Sequence, residues 1–188
     1  MTSRRMAAAA LAVGLVLLAA CSDDNSAAAG TSAPGVTICE PGGTAQATAD
    51  LPAVGSIETA IADLEAELGG AQQYFEINAT ARLVNLFVAL NDGTLAQPWL
   101  WVDGELSNAE GQAASGGTFA AADIDFQPDA VLTKIRDEVP DAILETFYVH
   151  GDGTGQVQYS VLTSAQCGGG LDVVVGPDGA VKSVDPVN

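Results

Sequence analysis

The sequence predicts an α+β fold made of two consecutive units, each one helix followed by a three- to four-stranded antiparallel meander. Three observations carry this. Two segments have apolar residues at helical spacing, Ile57-Ile61-Leu64-Leu68 and Val131 or Leu132 with Ile135 and Val139. Each is followed by apolar or alternating runs of strand length broken by Gly-Asp turns. The order of elements after the first helix recurs after the second. The octad Ile61 to Leu68 aligns with Leu132 to Val139 by apolar spacing, although identity is weak. Each sheet would bury one face beneath its helix. Periodicity leaves open whether the two halves share a sheet.

In the first half (residues 55–106), Ser56 has the chemistry of an N-cap, and Gly69-Gly70 stops the helix predicted over 56–68. Gln72 to Ala79 and Leu83 to Leu90 read as strands. The second places Val84, Leu86, Val88 and Leu90 on one face, and Leu83, Phe87 and Ala89 on the other. Asn91-Asp92-Gly93 is a turn, and Trp99 to Val102 is a strand ended by Asp103-Gly104. Residues 107–127, small and polar before Phe119, Ile124 and Phe126, are a connector.

In the second half (128–188), Pro128 suits a first helical turn and Pro140 ends the helix. Ile143 to His150 is a strand, followed by the turn Gly151-Asp152-Gly153-Thr154-Gly155. Val157, Tyr159 and Val161 then alternate with Gln156, Gln158 and Ser160. Leu171 to Val175 and Ala180 to Val184 flank Pro177-Asp178-Gly179.

Residues 1–20 read as a secretory signal: Arg4 and Arg5, an apolar stretch from Met6 to Leu18, then Ala19 and Ala20. The stretch is shorter than the ~20 residues of a spanning helix. Residues 21–54 are a tether of small and polar residues. The chain has 24 acidic and 6 basic residues. With Arg4 and Arg5 removed, only Arg82, Lys134, Arg136 and Lys182 oppose the acids. Such a surface repels phosphate backbones and anionic headgroups, so nucleic acid is not an expected partner. A basic protein partner or a cationic ligand is compatible with it, as is simple solubility.

Leu18-Ala19-Ala20-Cys21 resembles the bacterial lipobox. That resemblance implies a diacylglycerol on the Cys21 sulfur, cleavage before it, and a lipid anchor on the extracytoplasmic face of the cell membrane; secretion with a free Cys21 is the alternative. Cys39 and Cys167 remain, an even pair in an oxidising compartment. A disulfide between them would close a long loop worth about 4–5 kcal/mol in the chain-entropy model; two separate buried thiols are the alternative. The lipobox with this layout also resembles actinobacterial-type cell-envelope lipoproteins with tandem PepSY-like units, through Phe126 to Pro140 and Asp178-Gly179-Ala180-Val181. The fold type is similar to the tandem units of β-lactamase inhibitor proteins. These resemblances imply protein binding or inhibition and carry no catalytic residues.

The residues themselves point away from catalysis. His150 is the sole histidine, and Gly-x-Ser-x-Gly is absent. Asp123-Ile-Asp125 and Asp152-Gly-Thr do not complete a calcium loop. No metal ligand set and no cofactor are expected. The expectation is a non-enzymatic, monomeric protein-binding or modulatory module. Trp99, Trp101 and Phe87 are its candidate ligand or partner face. The alternative is a carrier of a lipid or small apolar ligand, with the 83–90 run and the Trp pair lining a cavity.

Overall fold

The computed structural model describes residues 51–140, 142–165 and 169–187. Cys21, Cys39 and Cys167 lie outside them, as do the expected signal, lipobox and most of the tether.

A single-turn 3-10 helix, Val54–Ser56, leads into α1 (Ile57–Leu68). Ser56 makes no side-chain capping bond. Instead the Ile57 N–H donates to the Val54 carbonyl, so the preceding turn satisfies that amide. Gly69, at φ 79°, ends the helix in the left-handed region, with the Gly70 N–H returning to the Glu65 carbonyl at 2.8 Å. α1 buries Ile57, Ala60, Ile61 and Leu64.

The strands that follow are β1 (Gln73–Ala79), β2 (Val84–Leu90), β3 (Leu95–Val102), β4 (Glu105–Asn108), β5 (Gln112–Ala113) and β6 (Phe119–Ala120). After α2 (Pro128–Glu138) come β7 (Ala142–Gly151), β8 (Val157–Ala165), β9 (Gly170–Val175) and β10 (Val181–Val187). β3 begins four residues before the predicted Trp99. It accommodates Pro98 because the strand beside it changes there from β5, which reaches Ala96, to β4, which starts at Trp99. No ladder bond is therefore lost on that side.

The expectation of two consecutive helix-plus-meander units is corrected by the sheet. The described residues form one large antiparallel sheet of ten strands with two short α-helices, ordered β10-β9-β8-β7-β1-β2-β3-β4, with β5 on β3 and β6 on β1. The first long strand of each half pairs with the other: Glu76 with His150, Ile77 with Val149, Asn78 with Tyr148 and Ala79 with Phe147. Two separate meanders would each expose these strands as unpaired edges. Joining β1 to β7 satisfies both rows of backbone groups.

The 107–127 connector is also part of the sheet. β6 lies against β1, and Gly117 bridges Gly151. At that bridge the backbones touch, so a Cβ on Gly117 would overlap Gly153.

One core unites both halves. Ile77 and Val149 sit opposite each other and fully buried, under α1 residues Ile57, Ile61 and Leu64 and α2 residues Val131 and Ile135. Both helices thus cover the same face of the sheet, and among the described residues the other face carries no helix.

Candidate functional site

The structure separates the three residues expected to form one face. Trp99 and Trp101 are two apart on β3 and point the same way, but toward α1. Trp99 pairs with fully buried Leu86 and is only 8% exposed. Its indole Nε1 has no hydrogen-bond partner among the described residues. Trp101 is half-buried, and its Nε1 donates to Asp63 Oδ2 on α1 at 2.7 Å. Phe87 alternates with buried Leu86 and Val88 and lies on the opposite, helix-free face against Pro98. In the interval between sheet and helices, where the carrier alternative places a cavity, Val84, Leu86, Val88 and Ile77 are fully buried and pack the middle, while a groove of about 490 Å³ lies at the end near Ser56, lined by Leu83, Trp101 and Arg82.

The helix-free face is ordered by register. One row across the strands runs Pro98, Phe87, Glu76, His150, Gln158. The next runs Leu100, Asn85, Asn78, Tyr148, Ser160, Val174, Ser183. A third, over β7 to β10, runs Thr146, Leu162, Asp172, Asp185. No Lys or Arg stands in these rows.

The centre of the face is a side-chain ladder. Asn78 Nδ2 donates to Glu76 Oε1 at 2.7 Å, and Asn85 Nδ2 donates to Asn78 Oδ1 at 2.8 Å. These bonds let Asn78 sit nearly buried among its neighbours without an orphaned amide. Burial raises the Tyr148 phenol, and the carboxylates of Glu76, Asp172 and Glu145 push the same way against a lowering bond from Thr146. Apolar patches flank the ladder, with Phe87, Pro98 and Leu100 on one side and Leu162 and Val174 on the other.

A groove of about 490 Å³ lies on the other side of the molecule, between α1 and residues 121–128. Val54, Ile57, Ile61, Ile124 and Phe126 give it apolar walls, and Glu58, Glu65 and Asp125 also line it. The 121–128 wall is pinned from behind. The Asp125 N–H donates to the Tyr159 hydroxyl at 2.8 Å, and the Phe126 ring packs 5.2 Å from Phe147 and 5.4 Å from Tyr159. Reading this stretch as a connector hid the groove. The signal that could have found it is Ile124 and Phe126 standing at strand spacing just before a helix.

The residues weighed for chemistry take structural places. His150 stands between Glu76 and Gln158. Asp152 Oδ1 accepts from the N–H groups of Thr154 at 2.7 Å and Gln156 at 3.1 Å. With the Thr154 hydroxyl, those bonds hold its carboxyl below the usual range. Asp123 caps its own turn by accepting from the Ala120 N–H at 2.8 Å. Among the described residues no group of three or more His, Cys, Asp or Glu side chains converges as metal ligands would.

No family model matches this chain, and no curated protein or solved structure matches it. Among the described residues no helix is long and apolar enough to cross a membrane.

Proposed function

We propose that this protein is a non-enzymatic binding module, held by lipid on Cys21 to the extracytoplasmic face of the cell membrane, whose helix-free sheet face docks a basic envelope protein. The observation that supports this most is the composition of that face. Apolar side chains stand around a polar ladder, with Glu76, Asp172 and Asp185 in the rows and no Lys or Arg. A cationic surface would find its charges matched there, giving a salt-sensitive association rate, while Phe87 and Leu100 supply area for burial. The close packing of Leu86, Val88 and Ile77 beneath the helices supports protein binding over carriage of a ligand enclosed at that point between sheet and helix.

The test is site-specific photo-cross-linking in the native envelope. A cross-linker at Phe87 or Leu100 should capture one recurrent basic protein, and capture should fall with Glu76→Lys. The same label at exposed Glu67 on α1 should capture nothing. Equal capture from Glu67, or none from the sheet face, overturns the docking surface. A discrete lipid-sized mass on the native protein whose contacts lie at Leu83 and Trp101, rather than in the groove beside residues 121–128, would replace the reading with a carrier. For the anchor, Cys21→Ala should move the protein from the membrane fraction to the medium, and retention in the membrane would refute lipidation.

A further inference from the structure

We propose that the groove between α1 and residues 121–128 is a binding site for an amphiphilic organic cation, an ammonium group carried on an alkyl chain. It lies on the helix side of the sheet and is independent of the docking face. Its volume, about 490 Å³, falls within the range of small-molecule sites. The lining is divided chemically: half-buried Ile124 and Phe126, with the edge of Ile61, offer apolar surface to a chain, and Glu58, Glu65 and Asp125 offer negative charge to a head. No Lys or Arg lines it.

Both walls are fixed before any ligand arrives. Glu65 Oε1 accepts from the Gln72 N–H at 3.1 Å and the Tyr74 hydroxyl at 3.3 Å, which orients the carboxylate. Asp125 is positioned by its own N–H on Tyr159, and Phe126 by two aromatic neighbours. Binding therefore need not pay to order the site. The sign of the ligand follows from charge: an anionic amphiphile entering the groove would meet three carboxylates. Its organic nature follows from geometry, since the carboxylates do not gather into a metal-binding cluster. The acidic excess of the chain as a whole also draws cations toward the surface.

The test uses the full mature chain with Cys21→Ser, so that no acyl chain competes, and methyl-resolved NMR. Three probes share one alkyl chain: hexylammonium, hexanoate and hexanol. Hexylammonium should shift the methyls of Val54, Ile57 and Ile61 in a saturable way. Hexanoate should leave them unmoved, and hexanol should bind at least about tenfold more weakly. Raising salt to about 0.5 M should weaken hexylammonium severalfold. The folded double variant Glu58→Gln/Asp125→Asn should lose about tenfold. Equal binding of hexanol or hexanoate, shifts confined to Leu100 and Val174 on the other face, or no shifts at all would each overturn the proposal. The probe series on unaltered groove residues decides the matter even if the double variant does not fold.

Discussion

Replacing Gly179 with alanine tests the packing of the β9–β10 turn against α2. The Gly179 N–H donates to the Gly176 carbonyl at 2.9 Å, and the residue sits at φ 80°, where an L side chain is strained. A Cβ built there lies 2.7 Å from Val131 Cα and 2.9 Å from the Val131 carbonyl oxygen. Ordinary carbon contacts are about 3.5–4.0 Å, and both atoms are helix backbone that no rotamer can withdraw. Two costs should add: about 1–2 kcal/mol for the left-handed conformation and about 1–3 kcal/mol for overpacking. Gly153 provides the control, because it has the same φ of 80° with nothing within 4 Å of its added Cβ. Gly153→Ala should therefore cost only the first part. Urea unfolding at unchanged m reads both variants. If Gly179→Ala costs no more than Gly153→Ala, the close approach of the turn to α2 is refuted.

Other perturbations probe different joints of the fold. Gly117→Ala would drive a Cβ into the Gly153 backbone and should break the Gly117–Gly151 bridge at a cost of about 1–3 kcal/mol, seen as faster hydrogen exchange around residues 117–120; unchanged exchange and stability would refute the contact. Trp101→Phe removes the 2.7 Å bond to Asp63 and should cost about 1–2 kcal/mol by urea unfolding; an unchanged midpoint would show that bond to be idle. Burial, with the Glu65 charge and hydrogen bond, raises the Tyr74 phenol well above its ordinary 10.0. The folded state then keeps a proton that the unfolded chain has lost, so stability should fall as pH rises from about 10. Tyr74→Phe should make that alkaline slope shallower, the raised Tyr148 and Tyr159 phenols keeping the remainder, and an ultraviolet titration of the variant should lose the phenol that ionises last; an unaltered slope would refute the linkage.

The local elements were largely legible. The 4-3-4 spacing of Ile57, Ile61, Leu64 and Leu68 produced α1, and Val157-Tyr159-Val161 produced β8, because side-chain period follows directly from backbone geometry. The turn at Asn91-Asp92-Gly93 was legible too, since these residues tolerate the positive φ that all three adopt. The faces were read less well. The Trp pair was rightly placed on one side of β3, yet alternation cannot say which side a helix will cover, and α1 covers that of Trp99 and Trp101. Phe87 fell on the other side.

Sequence alone determined the kind and order of the long elements and the strong acidic excess of the chain. Tertiary structure decided what those elements became. Pairing of β1 with β7 merged two expected units into one ten-stranded sheet, because a strand edge is satisfied by whichever backbone reaches it and backbone groups carry no side-chain code. The same joining set α1 and α2 on one face, left the other to the Glu76–Asn78–Asn85 ladder, and opened the groove beside residues 121–128. Each of these depends on contacts between residues far apart in the chain, where local periodicity has nothing to report.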